Sequence, residues 1–187
     1  RSKLMMEQII QDYGSAYGLS YAILRYFNAA GADPEGQIGE DHNPEPHLIP
    51  ILLQTVLEQR SHTDVYGTDY DTPDGTAIRD YIHVTDLARA HVLALKYLSE
   101  SRQNLCINLG TGRGYSIMEV IRAVQQVTGK SVAYRTAGRR PGDPPVLVAK
   151  PEYADSMLGW KPDFCDINAT IATAWNWCQS QSEKKSS

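Results

Sequence analysis

No apolar run in the 187-residue sequence approaches the roughly 20 residues that a membrane-spanning helix needs, so no segment reads as a membrane span. A basic excess is also missing. With 18 Lys and Arg against 22 Asp and Glu, the net charge of −4 removes the electrostatic footprint of a nucleic-acid binder. Cysteine is scarce: Cys106, Cys165 and Cys178 are odd in number and far apart. They fit neither a disulfide framework nor a zinc spacing, and they suit a reducing, cytoplasmic setting. The histidines at 42, 47, 62, 83 and 91 show no H-x-x-x-H or comparable spacing, so no metal site is expected. No G-x-S-x-G or other nucleophile motif occurs, and there is no internal repeat, low-complexity block or dividing linker. The opening Arg1-Ser2-Lys3 shows neither an initiator Met nor a secretory pattern of basic, apolar and small-residue regions.

What is present suffices for a packed core. With 42% hydrophobic residues, a chain of this length buries roughly 70% of its unfolded surface and needs no disulfide or metal staple. Met6, Ile9, Ile10, Tyr13 and Tyr17 lie near one face at 3–4 spacing, predicting a helix over 1–17 that Gly18 ends. Arg1 and Lys3 already fall inside that pattern, without a preceding cap, which reads as a start inside a longer helix. Strands are predicted at 20–27, 64–66, 78–83, 105–109 and 132–135. Helices are predicted at 48–60, from a cap at Thr85 or Asp86 through Leu98, at 117–128, near 152–158 and at 167–179. Ser116 and Glu119 have the spacing of a capping box, and 180–187 reads as a polar, frayed tail. Alternating strands and helices define an α/β class.

Charge is segregated along the chain. From Asp33 to Asp74 there are ten acidic residues and one basic, whereas from Arg122 to Lys150 there are six basic and one acidic. Two solvated faces of opposite sign would account for this; so would a local anion site built from arginines in an otherwise negative chain. Gly110-Thr-Gly-Arg-Gly114 lies between a strand and a helix, where phosphate can bind. Its G-x-G-x-G spacing is not the dinucleotide fingerprint, and a tight structural turn is the simpler reading. Arg79 opens a strand after a polar loop and reads either as a salt-bridged edge residue or as an anion ligand. Arg139-Arg140-Pro-Gly-Asp143 is more pointed. Adjacent guanidiniums call for an anion beside them, and Pro-Gly turns Asp143 back toward them. Asp143 is also suited to accept hydrogen bonds from vicinal sugar hydroxyls. The set resembles equipment for a sugar nucleotide.

Several runs read together resemble the UDP-glucose 4-epimerase family of the extended short-chain dehydrogenase/reductase superfamily. They are Ser2–Glu7 (SKLMME), Arg25–Ala32 (RYFNAAGA), Gly39–Pro50 (GEDHNPEPHLIP), Tyr66–Thr76 (YGTDYDTPDGT), Arg79–Val84 (RDYIHV), Asn108–Gly112 (NLGTG) and Arg139–Asp143 (RRPGD). The resemblance extends to about Trp177, and the YDTPDGT loop followed by RDYIH is its most specific part. It implies an extended Rossmann-type fold in which 1–27 is a residual helix and strand, 28–179 is mainly substrate-binding and 180–187 is the tail. It implies Lys3 as the lysine of a Tyr-x-x-x-Lys catalytic pair and as a ribose ligand of NAD; the tyrosine would fall two residues before Arg1. Tyr26 and Phe27 would line the nicotinamide pocket. For the UDP-sugar it implies Asn28, His47 and Leu48 as ligands, Tyr66 beside uracil, Arg79 and Arg140 on the diphosphate, and Asp143 on ribose. Leu147 stands where some members carry a tyrosine that restricts N-acetylated sugars, which leaves acceptance of those sugars open.

The reaction implied is removal of the sugar 4-OH proton by the tyrosine, with hydride passing to NAD. The 4-keto sugar then turns over and takes the hydride back on its other face. The reading from the residues supports only the sugar-nucleotide half of that statement. The expected chain is therefore the C-terminal, substrate-binding portion of such an enzyme, inactive alone and prone to self-association or dimerisation. A UDP-N-acetylhexosamine or UDP-uronate 4-epimerase and a stand-alone UDP-sugar binding module are the alternatives.

Overall fold

The computed structural model describes residues 2–186, so Arg1 and Ser187 lie outside it. In chain order the elements are α1 (Ser2–Tyr17), β1 (Ala22–Tyr26), β2 (Asn28–Ala30), α2 (Leu48–Val56), β3 (Thr63–Tyr66), β4 (Ile78–His83) and α3 (Val84–Ser101). They continue with β5 (Leu105–Leu109), β6 (Gly114–Ser116), α4 (Ile117–Thr128), β7 (Tyr134–Ala137), β8 (Val146–Leu147), α5 (Glu152–Leu158) and α6 (Ile167–Ser186).

The strand β4 organises the molecule. It pairs in parallel with β2 and β8 and antiparallel with β6. Residues 79 to 83 are all buried, as expected of a strand covered on both faces. Period-two alternation then sends its side chains two ways. Tyr81 joins a core built from α2, α4 and α6, including Leu52, Leu53, Val120, Val124 and Ile171. Ile82 joins a second core with Leu87 and Ala90 of α3, Leu105, Ile107 and Leu109 of β5, and Trp160. The parallel pair β1–β5 carries part of the second core, and β3–β7 runs beside the first.

Where the strand ends, His83 caps α3: its Nδ1 accepts from the Thr85 amide at 3.1 Å, so neither Thr85 nor Asp86 is the cap. The ring stacks on Phe164 at 3.8 Å between centroids. Thr173 Oγ1 donates to the Thr170 carbonyl, so it accepts from His83 Nε2 at 3.1 Å. This arrangement requires the neutral Nε2–H tautomer. Burial pulls the His83 pKa below its ordinary value, with Asp86 opposing. The unfolded chain therefore takes the proton first, and His83's contribution is whole above about pH 6.5 and is lost as pH falls below it. In urea unfolding, the stability gap between the parent and His83→Asn should narrow between about pH 7.5 and pH 5.5. A constant gap would contradict this assignment.

Several elements differ from expectation. The tail expected to fray from 180 continues as α6 to Ser186. Helix α2 stops at Val56 rather than 60, because Glu58 turns left-handed at φ 59°. The turn read at 110–114 ends in a short strand, β6, and the loop 137–145 leads into another, β8; both gain their definition from pairing with β4. Strand β7 lies two residues later than predicted, in register with β3. On α3 the helical period predicts Leu87, Ala88, Val92, Leu95 and Leu98 as the apolar face, but the buried stripe is Leu87, Ala90 and Ala94, whereas Val92 and Leu95 are exposed. The Ser116–Glu119 capping box forms as expected, and Gly129 ends α4 in the left-handed region. Helix α1 also forms over its predicted span, yet it buries no residue, and Leu4, Met5, Met6, Ile9, Tyr13 and Tyr17 are all exposed.

Candidate functional site

The charge segregation seen in the sequence resolves into pairing. Strand β3 belongs to the acidic segment and β7 to the basic one, and their register sets Asp64 opposite Arg135, joined at 2.5 Å. Arg139 donates to Asp69 at 2.7 Å and lies 4.4 Å over the Tyr70 ring. The Arg135 and Arg139 guanidiniums hold Asp64 and Asp69, respectively, below the usual carboxylate range. These two arginines are therefore spoken for by aspartates.

Arg79 and Arg140 are placed differently. Both line a cleft of about 1470 Å³ beside β2 and β4; Arg135 lines it too, but with its guanidinium bonded to Asp64, whereas Arg140 has no carboxylate partner among the described ion pairs. Arg79 is buried at the start of β4; it donates through Nη1 to the Ile78 carbonyl at 2.7 Å and through Nη2 to Asp143. The Pro-Gly turn does bring Asp143 back, but onto Arg79 rather than onto the adjacent arginines. Arg140 is exposed and stacks 4.0 Å over the Tyr66 ring, which extends from β3. Three separate segments thus place two guanidiniums, one carboxylate and one aromatic face on the same wall.

The remaining candidates fall around the same cleft. Lys3 comes from the first turn of α1, Tyr26 from the end of β1, Phe27 and Asn28 from the β1–β2 junction, and His47 and Leu48 from the start of α2. Tyr81 also lines it, with its phenol pKa pushed up by complete burial. Leu147 is the exception: it pairs with Arg79 in the β4–β8 register, is 45% exposed, and is not among the cleft-lining residues. The loop before α2 holds its shape against α6, because Thr173 accepts from the Ala32 amide at 3.0 Å and Trp177 Nε1 donates to the Glu40 carbonyl at 3.0 Å.

The glycine-rich turn at 110–114 is a structural turn. Two of its amides are already occupied by the fully buried Asp80 carboxylate, which accepts from the Thr111 amide (3.0 Å), the Thr111 hydroxyl (2.8 Å) and the Gly112 amide (3.0 Å). The Ala149 amide adds a fourth bond at 3.2 Å. A Cβ at Gly110 would come within 2.6 Å of the same carboxylate, so glycine is required there. Sequence reasoning passed over Asp80, although an acid in the middle of an otherwise buried strand marks a site that must be satisfied. It also missed that Glu40, His42, Glu45 and His47 come together. Reading histidine spacing alone left out the carboxylates, whereas Glu-x-His occurs twice, at 40–42 and 45–47.

A mixed α/β fold with a cleft set at strand ends is the architecture of an extended short-chain dehydrogenase/reductase chain. Residues 1–110 match the NAD dependent epimerase/dehydratase family, and the chain belongs to that family. A UDP-glucose 4-epimerase of Lacticaseibacillus casei is 49% identical over 182 residues, covering 97% of this chain and 55% of that protein. The crystal structure of a UDP-glucose 4-epimerase from Brucella ovis in complex with NAD matches with a TM-score of 0.88 at 52% identity, over 92% of this chain and 53% of that one. Another from Bifidobacterium longum, in complex with NAD+ and UDP, matches at 0.90 and 39%, over 97% of this chain and 54% of that one. The chain spans about half the length of the curated relatives it matches. Among the described residues no helix is long and apolar enough to cross a membrane, and the three cysteines are free thiols.

Proposed function

We propose that the cleft binds the UDP-sugar of a UDP-glucose 4-epimerase, the whole protein interconverting UDP-galactose and UDP-glucose with NAD. The observation that carries this reading is the wall on which Arg79–Asp143 and Arg140–Tyr66 converge. Arg79 and Arg140 supply charge-assisted donors to the diphosphate, Tyr66 supplies a flat apolar face for uracil, and Asp143 accepts from ribose hydroxyls. Asn28, His47 and Leu48 face the sugar across the cleft, while Leu147, paired with Arg79 in the β4–β8 register, stays outside it. In this reading residues 1–27 belong to the cofactor-binding layer and 28–179 mainly to the substrate-binding one. The free thiols are compatible with a cytoplasmic setting.

The cleft offers a partial fit to NAD. Lys3, Tyr26 and Phe27 suit the nicotinamide end, whereas in the 110–114 turn the Thr111 and Gly112 amides are taken by Asp80 and the Arg113 amide by the Thr111 hydroxyl, so these three do not cradle its phosphates. When bound, that cofactor would accept hydride from the sugar and return it. The chain's own residues hold the UDP end fixed, keep the ammonium of Lys3 at the mouth of the same cleft, and leave the sugar room to present either face. A calorimetric titration should rank UDP above UMP and UMP above uridine, because the arginines read the diphosphate. Equal affinities would remove the support that Arg79 and Arg140 give to this reading. UDP-galactose turnover by these 187 residues alone is expected to be absent, since no Tyr-x-x-x-Lys pair occurs among them.

The apolar surface of α1 supports self-association, because exposed patches of this size promote contact between copies. Sedimentation should show a concentration-dependent dimer or larger species. The double change Met6→Glu and Ile9→Glu should shift it toward monomer, and a monomer at all concentrations for the parent would contradict the expectation.

A further inference from the structure

The loop that forms one wall of the cleft carries a cluster of two carboxylates and two imidazoles. One donor atom from each of Glu40, His42, Glu45 and His47 lies within 4.8 Å of the other three. Glu40 Oε1 lies 2.9 Å from His42 Nδ1 and 2.5 Å from His47 Nδ1, and Glu45 Oε1 lies 2.9 Å from the same His47 nitrogen. A ring nitrogen carries at most one hydrogen. His47 Nδ1 therefore cannot satisfy both carboxylates at full strength, and His42 is drawn to a carboxylate already shared. Among the described residues, the ion-pair partners of Glu40 and Glu45 are these histidines alone, with no Lys or Arg beside them. The Glu45 side chain is only 4% exposed, and the partners of its Oε1 are the His47 amide and the His47 ring nitrogen.

We propose that these four side chains form a site for a divalent transition cation of the zinc class. Two imidazole nitrogens and two carboxylate oxygens are the donor set such ions take, whereas calcium and magnesium favour oxygen alone. At metal–ligand distances of about 2.0–2.2 Å, a tetrahedron has donor–donor edges of roughly 3.3–3.6 Å. The cluster brackets that spacing, so entry of an ion needs side-chain shifts of about an ångström. Its backbone is held in advance. Trp177 donates to the Glu40 carbonyl at 3.0 Å, and the Glu45 carboxylate accepts the His47 amide at 2.8 Å. Gly39 sits so close to the Trp177 ring that a Cβ there would come within 2.3 Å.

The surroundings favour a cation. Ten acids against one base between Asp33 and Asp74 set a negative local field. Cys178 is not among the four donors, so the site carries no thiolate ligand. His47 is both a member of this cluster and the N-cap residue of α2, where its side chain makes no capping bond. An ion bound here would therefore tie the cleft wall to the start of that helix. Glu40, His42 and His47 also line the cleft, so the ion site and the sugar site of the proposed function share the His47 side chain.

Calorimetric titration of the chain with Zn2+ alone, in a non-chelating buffer, should show one site with Kd below about 10 µM. Co2+ should give the visible bands of a four-coordinate ion without a thiolate-to-cobalt charge-transfer band. His42→Asn at an exposed position and Glu45→Gln should each weaken binding by about tenfold or more, while His62→Asn should not. Circular dichroism in the presence of a chelator checks that each variant is folded. The exposed His42 change and the parent's Co2+ spectrum carry the test even if the buried Glu45 change unfolds the chain. No site in the parent, unchanged affinity in folded His42→Asn, or a thiolate charge-transfer band would overturn the proposal.

Discussion

Replacing Asp80 by Ala is expected to remove about 3–5 kcal/mol of stability, a loss large enough to unfold many domains of this size. The carboxylate is wholly buried and accepts four hydrogen bonds, three of them from the backbone amides of Thr111, Gly112 and Ala149. Truncation leaves those amides buried without partners, at about 1–3 kcal/mol each before the turn relaxes. It also opens a void between β4 and the 110–114 turn. Asp80→Asn keeps the volume but turns an NH2 group toward amides, so it should recover only part of the loss. Equilibrium urea unfolding of the parent and both variants measures the effect. A loss below about 1 kcal/mol for Asp80→Ala would mean that the turn is held by other contacts. The same network explains why this glycine-rich segment does not act as a phosphate cradle: the Thr111 and Gly112 amides and the Thr111 hydroxyl already serve a carboxylate of the chain itself.

Arg79→Ala should weaken UDP binding by about 10- to 100-fold, the range set by a charge-assisted contact of roughly 1.5–3 kcal/mol. Two effects add in the same direction. The variant loses the guanidinium donors that reach the diphosphate, and it frees Asp143, whose negative charge then faces the ligand without its partner. Arg79→Lys restores charge but not the planar fork, so it should recover only part of the affinity. Double substitution of Arg79 and Asp143 by Ala and Asn should bind better than Arg79→Ala alone, because the unpaired carboxylate is gone. Calorimetry with UDP measures all three. Unchanged affinity in Arg79→Ala would remove this residue from the diphosphate site and leave its bond to Asp143 as a purely structural edge contact.

The strand Arg79–His83 shows what local sequence makes legible and what it does not. Its apolar and aromatic residues between punctuation identify a strand, with bounds that match the structure. The separate duties of its five buried side chains depend on partners far along the chain: Asp143 for Arg79, Thr111 and Ala149 for Asp80, and Thr173 and Phe164 for His83. Capping of α4 was readable because Ser116 and Glu119 are three residues apart. Capping of α3 was not, since histidine is an uncommon cap and the ring is oriented by contacts from α6. Short strands such as β6 and β8 have no periodicity of their own and exist because β4 offers an edge. On α3 the helical period was visible, but Val92 and Leu95 competed with Ala90 and Ala94, and small residues won the buried face where the helix approaches β5 closely.

The candidate site divides along the same line. Tyr66, Arg79, Arg140 and Asp143 were identifiable from residue type and resemblance, and they do come together. Their pairing was not: adjacency in sequence suggested that Arg139 and Arg140 act as one unit, whereas Asp69 claims the first and the Tyr66 ring carries the second. The Glu-x-His repeats lay in view but needed the loop to fold back on itself before four donors met.

A structure of the chain bound to UDP tests the central claim most directly. The account predicts the diphosphate between the Arg79 and Arg140 guanidiniums, ribose hydroxyls on Asp143 and uracil against Tyr66. UDP seated on the 110–114 turn, or a cleft left unbound at saturating UDP, would contradict it.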